Sequence, residues 1–158
     1  MSEPKEIDIE KILPDGTRIV QAHREHRWHM GHRVFNHESK CKYLHGHEYA
    51  ATFYCEAPKL DNLGRVVDFG VMKQRICNWI DVNWDHRFMV DDTDPIKEHL
   101  LKADPEIVIV PYNPTAENIA LDLLQNICPR LFADTDLLVT KVMVMETSKC
   151  GVTVEKVT

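Results

Sequence analysis

The feature that most constrains this chain is the run from His45 to Pro58. His45-Gly46-His47 leads directly into a segment, Gly46 to Glu56, that alternates small and aromatic residues until Pro58 stops it. Period-two alternation ended by proline is the pattern of a β-strand. In a strand, residues two apart face the same way, so His45 and His47 point both imidazoles at one spot while Gly46 leaves the opposite side uncrowded. Chance alone gives such a triplet in roughly one sequence of this composition in fifty, so its neighbours decide its meaning.

Those neighbours are rich in histidine. Seven of the chain's nine histidines fall between His23 and His47, and an eighth is His86. His23, His26, His29 and His32 recur every three residues, which also fits a helical stripe. The lack of an apolar face, together with Gly31 and the β-leaning run Trp28 to Phe35, favours a strand. This strand and the one after it make an antiparallel hairpin, closed by a loop that carries Cys41. A third metal ligand is expected from the paired strand, with His32 first, then His29 and His37. Three imidazoles with an open fourth position describe catalytic zinc, whereas structural zinc is usually closed by four ligands rich in cysteine.

Further along, Asp68 caps a helix that puts Met72, Ile76, Trp79, Ile80 and Asn83 on one face and ends near Trp84-Asp85-His86. Asp94-Pro95 opens a short helix to about Lys102, and Ile107 to Val110 is a brief buried strand. Thr115 caps a second main helix whose apolar stripe, Ile119 to Ile127, ends before Pro129. Leu137 to Glu146 is a long strand, and after Gly151 the segment Val152 to Val157 adds a last one. The layout is α+β, an antiparallel sheet with helices on one face. At 158 residues, the expectation is one domain over 17–158 behind a loose extension over 1–16.

A net charge of −6 excludes a basic field for nucleic acid. No apolar run approaches the ~20 residues that cross a bilayer, and the charged start is unlike a signal sequence, so a cytoplasmic location is expected. Five cysteines without Cys-x-x-Cys spacing suggest neither a disulfide framework nor a thiolate finger. Cys41 is different, because a thiol beside a cation and an imidazole ionises readily and can act as a base or nucleophile. Asp85-His86 is a carboxylate that can fix a neighbouring imidazole's tautomer, although such adjacency is common by chance. Glu146 closes a β-branched, Met-rich strand. A carboxylate there needs a partner, and the amidine-like edge of a heterocycle offers two donors.

Together these residues resemble the family of 6-pyruvoyltetrahydropterin and 6-carboxytetrahydropterin synthases. The matching elements are Gly31-His32-Arg33-Val34-Phe35, Cys41-Lys42-Tyr43-Leu44-His45-Gly46-His47, Val67-Asp68-Phe69-Gly70, Trp84-Asp85-His86, Pro114-Thr115-Ala116-Glu117-Asn118 and Val144-Met145-Glu146-Thr147. The resemblance implies a tunnelling fold, in which four-stranded antiparallel sheets, each with two main helices on one face, join into a trimeric barrel and two barrels stack as a homohexamer. It implies Zn2+ on His32, His45 and His47, Cys41 as general base, and Asp85 and His86 as a proton relay that another subunit can supply. Glu146 would anchor the pterin, with Thr115 and Thr147 also binding substrate. The spacing Cys-x-x-x-His-Gly-His is similar to the carboxy branch. That branch converts 7,8-dihydroneopterin triphosphate to 6-carboxy-5,6,7,8-tetrahydropterin, acetaldehyde and triphosphate on the way to queuosine and other deazapurines. The alternatives are triphosphate elimination alone, giving 6-pyruvoyltetrahydropterin, and a non-catalytic pterin- or metal-binding relative. A short His32–Cys41 loop and a long insertion from Asp91 to Tyr112 depart from the group. Lys42, Arg87 and Lys149 are candidates for the phosphates.

Overall fold

The two histidine-bearing segments pair as expected. In the computed structural model, which describes residues 20–157, β1 (Ala22–His32) and β2 (His45–Glu56) form an antiparallel ladder with Met30 opposite His47 and His32 opposite His45. Gly46 lies opposite Gly31, and a Cβ on Gly46 would come within 3.0 Å of the Met30 carbonyl oxygen. The His-Gly-His spacing therefore does more than leave room, because the glycine lets the two strands close beneath the imidazoles. The extension expected over residues 1–16 lies outside the described residues.

The sheet corrects the expectation of four antiparallel strands. It has six strands in the order β4-β3-β1-β2-β5-β6. The antiparallel set is β1, β2, β5 (Leu138–Met145) and β6 (Gly151–Glu155), and β3 (Arg87–Asp91) and β4 (Val108–Val110) extend it in parallel. The β3 segment has no period-two alternation, because its central Met89 and Val90 are both fully buried. The insertion, entered at the end of β3, thus contributes a short helix α2 (Lys97–Ala103) and the strand β4.

Helix α1 runs through Phe69–Met72, a π-turn at Lys73–Cys77 and Asn78–Asn83, and Asp68 caps it by accepting from the Gly70 amide. Helix α3 comprises Ala116–Asp122, a π-turn at Leu123–Ile127 and Cys128–Leu131. It was expected to stop before Pro129, yet it continues through it. The π-turn makes the Cys128 amide donate to Leu123, five residues back, so Pro129 enters at the first turn of the last segment, where a missing N–H costs nothing. The helices are locked together by Arg75, which donates to the Leu131 carbonyl at 2.8 Å and to the Asp134 carboxylate.

Alternation sorts each strand into two faces. Trp28, Met30 and His32 of β1, Tyr49, Ala51 and Phe53 of β2, and Val142 and Val144 of β5 are buried in the core beneath the helices. Glu25, Arg27, His29 and Glu48 point to the opposite, exposed side. The helix-covered face ends, at one corner, in histidines.

Candidate metal centre and proton-relay pair

His32, His45 and His47 come together at that corner, each offering a ring nitrogen within 4.8 Å of the others. Main-chain carbonyls orient two of the rings. His32 Nδ1 lies 2.7 Å from the Pro114 oxygen and His45 Nδ1 lies 2.7 Å from the Tyr43 oxygen. A carbonyl only accepts, so both Nδ1 atoms carry the proton, and each neutral ring presents an Nε2 lone pair to the centre. His32 is fully buried; burial, reinforced by the two neighbouring imidazoles, pushes it down to about 4 despite the Pro114 bond. Burial also lowers His47, against the pull of Glu146.

Glu146 sits among these rings, its Oε1 3.3 Å from His32 Nε2 and 3.7 Å from His47 Nε2. With His32 neutral at physiological pH, this contact is not an ion pair. It sets a carboxylate oxygen against the His32 lone pair, and both His32 Nε2 and His47 Nε2 are buried without a hydrogen-bond partner. Acceptors facing acceptors in a buried pocket are stable only with something positive among them. The donor set of three imidazole nitrogens fits a transition metal ion, with the Glu146 carboxylate close beside it.

Cys41 lies half-buried in a 3-10 turn (Lys40–Lys42), where its carbonyl accepts from the Val34 amide at 2.8 Å. Its thiol is outside the histidine cluster. Asp85 and His86 also stand apart, on the open side with His29. The Asp85 carboxylate accepts from the His29 amide at 2.9 Å and lies 2.9 Å from His86 Nδ1, and the His86 amide donates to the His29 carbonyl at 2.7 Å. Burial opposes the Asp85 charge, but the His29 amide and the His86 ring outweigh it and hold the carboxyl below its usual range. His86 adopts φ 58°, a left-handed conformation rare outside glycine, which these bonds enforce. The ring is left exposed beside an open cavity of about 540 Å³ lined by His29, Glu48 and Arg87. One chain therefore presents the two groups on opposite faces of the same ladder.

Thr115 and Thr147 are engaged in local structure. The Thr115 hydroxyl caps α3 by accepting from the Asn118 amide, and the Thr147 hydroxyl accepts from the Lys149 and Cys150 amides. Arg87 is tied to the Glu106 carboxylate and carbonyl. Several supporting groups carry no mark in the sequence. Asn113 bonds both the amide and the carbonyl of Phe35, each at 2.8 Å, and Arg33 pairs with the buried Asp94 of the insertion. Asn113 and Pro114 thus pin the cysteine loop and His32 from one short segment. The only hint was their place beside the Pro114-Thr115 motif.

Comparison with known proteins places this geometry. The family described as 6-pyruvoyl tetrahydropterin synthase matches residues 21–157. The chain belongs to that family. It is 38% identical over 138 residues to the 6-carboxy-5,6,7,8-tetrahydropterin synthase of Rickettsia typhi, covering 86% of this chain and 100% of that one, and 37% identical over 141 residues to the enzyme of the same name from Rickettsia bellii, with the same coverage. Among solved structures, an uncharacterised protein from Wolinella succinogenes aligns with TM-score 0.78 at 24% identity, covering 89% of this chain and 100% of its own. The 6-pyruvoyl tetrahydropterin synthase of Caenorhabditis elegans aligns with TM-score 0.62 at 20% identity over 89% and 97%. These two carry the fold. As a member of the synthase family the chain is an enzyme of pterin metabolism. Among its described residues no helix is long and apolar enough to cross a membrane.

Proposed function

We propose that this enzyme is a zinc-dependent 6-carboxy-5,6,7,8-tetrahydropterin synthase, converting 7,8-dihydroneopterin triphosphate to 6-carboxytetrahydropterin, acetaldehyde and triphosphate in the cytoplasm. The observation that carries the reading is the convergence of lone pairs from His32, His45 and His47, with two Nδ1 atoms fixed by carbonyls. The carboxy product is favoured by the relatives' names and by the three residues between Cys41 and His45.

His32, His45 and His47 would hold the zinc, whose Lewis acidity would make a C–H beside a bound side-chain oxygen more acidic. The other roles belong to the chain. Glu146 accepts two N–H groups from the pterin's amidine edge and so sets the ring's register. Cys41 removes the side-chain proton as a thiolate. His86, its tautomer held by Asp85, delivers a proton to the ring carbon. Thr115 and Thr147 contribute through the backbone they shape, next to the pterin. Because Asp85 and His86 lie on the face opposite their own chain's histidines, the reading requires a second copy to supply the relay, as in a hexamer of two stacked trimers.

Product analysis tests it. Incubation with 7,8-dihydroneopterin triphosphate is expected to release acetaldehyde together with the carboxypterin; 6-pyruvoyltetrahydropterin without acetaldehyde would reassign the enzyme to elimination alone. Purified protein should hold about one zinc per chain after dialysis. Cys41→Ala should fold and keep that zinc yet lose turnover, and full activity in this variant would remove Cys41 from the base role.

A further inference from the structure

Tyr49 follows His47 by two residues on β2, so its ring continues the same face beneath the imidazoles. It meets His47 and His32 edge-on, with centroids at 5.6 Å and 5.8 Å, and Trp28 stacks against it at 5.4 Å. The side chain is fully buried and its hydroxyl has no hydrogen-bond partner. A buried hydroxyl without a partner costs folding free energy, and Trp28 stacking leaves the ring no route to water. The group beside it with spare accepting capacity is the Glu146 carboxylate, whose charge and hydrogen-bonding reach both bear on the phenol without closing a full hydrogen bond. Glu146, however, is committed elsewhere. Its Oε1 stands at the imidazoles, 3.3 Å from His32 Nε2 and 3.7 Å from His47 Nε2.

Two unsatisfied arrangements thus sit side by side, and one movement relieves both. Zinc–imidazole bonds are about 2.0–2.1 Å long, so an oxygen at that point must become a ligand or leave when a cation arrives. Becoming a ligand would close the fourth position that catalysis needs open.

We propose that Glu146 has two positions, and that the Tyr49 hydroxyl is the second: cation loading of the histidine trio moves the carboxylate onto Tyr49 and thereby assembles the pterin anchor. The inference rests on the reading of Glu146 as that anchor. A carboxylate has about four lone-pair sites, so accepting one hydrogen bond from Tyr49 leaves room for both N–H donors of a pterin edge. Tyr49 is a positioning residue in this scheme. The coupling is reciprocal, so metal raises pterin affinity and pterin raises metal affinity by the same factor.

The test uses 6-methyl-7,8-dihydropterin, which has the pterin edge but no side-chain oxygens for the metal. Fluorescence titration of the full chain, stripped of metal and then loaded with Zn2+, reads the coupling directly. The wild type is expected to bind this pterin about tenfold tighter when loaded. Tyr49→Phe is expected to gain about twofold or less, while its zinc content matches the wild type and its metal-free thermal midpoint is equal or higher, since it loses only an unpaired hydroxyl. Glu146→Gln is expected to bind weakly in both states. A tenfold gain retained in Tyr49→Phe, alongside weak binding by Glu146→Gln, overturns the Tyr49 position alone, and a wild type that gains nothing overturns the coupling. Wild-type binding by Glu146→Gln overturns the anchor reading itself and the coupling with it.

Discussion

The two faces of the β1–β2 ladder carry histidines in opposite chemical states. On the helix-covered face, His32 is fully buried, the Nδ1 atoms of His32 and His45 are spent on carbonyls, and the Nε2 atoms of His32 and His47 are buried without a hydrogen-bond partner. On the open face, His29 and His86 are well exposed, and each lies against a carboxylate, Glu48 or Asp85. Burial without charge compensation makes a nitrogen a ligand. Exposure beside a carboxylate makes it a carrier of protons. On β1 the pleat turns His32 into the buried trio and His29 outward beside His86, so in the proposed mechanism the two faces divide metal holding from proton transfer.

The largest effect is expected from breaking the closed face. His45→Ala should lower zinc from about one per chain to near zero and turnover by a factor on the order of 10⁴, read by metal analysis and product formation. The counterpart on the open face is Asp85→Asn, which should retain full zinc while kcat falls about 10³-fold, because the amide no longer fixes the His86 tautomer. Zinc loss in this variant would show that the two faces do not divide the labour.

Much of this division was legible in the sequence, because strand period and i, i+2 spacing are local. The hairpin, the three imidazoles on one side and the Asp68 and Thr115 caps all follow from residues within a few positions of one another. What was not legible depends on distant partners. Nothing near Arg87–Asp91 marks a strand that pairs in parallel with β1 and β4, and nothing near Asn113 announces a bond to Phe35, 78 positions away. The π-turns that carry α3 through Pro129 are backbone adjustments that helix propensity does not register. Tyr49 is the clearest case. An aromatic residue on the inward face of a strand reads as core, and only the missing partner of its hydroxyl separates it from packing.

A smaller effect should come from the tie between the trio's end of β1 and the insertion. Arg33, next to His32, donates to the buried Asp94 carboxylate at 2.6 Å, and its other arm reaches toward the Lys42 carbonyl in the cysteine loop. Asp94→Asn should destabilise by about 3 kcal/mol, the lower end for breaking a buried pair, because Arg33 keeps some access to water. Burial works against the Asp94 charge, but Arg33 and the Ile96 amide prevail and hold the carboxyl below its usual range. A carboxyl depressed in the folded state contributes stability that is present above its unfolded value near ~3.9 and is lost as pH falls through the folded one. Urea midpoints between pH 6 and 3 should therefore drop more steeply for the wild type than for Asp94→Asn. Parallel curves would mean that Asp94 carries no depressed charge.

The smallest effect should come from Glu48, and its smallness is the sharpest check on the contrast between faces. Glu48 accepts from Arg27 at 3.0 Å and lies 3.4 Å from His29 Nε2, so it holds two cationic or potentially cationic partners on the open face. All three side chains are about half exposed or more, and Arg27 keeps a second bond to Glu25 at 2.7 Å. Exposed pairs with a replacement partner contribute little, since water solvates either ion once the contact is broken. Glu48→Gln should shift the thermal midpoint by about 2 °C or less and leave zinc content unchanged. Yet Glu48 shares β2 with His47 and Tyr49, one residue away on either side. A large loss of zinc or stability from this single change would mean that the open face holds the closed one in place. A negligible loss would mean that the pleat isolates the two faces from each other.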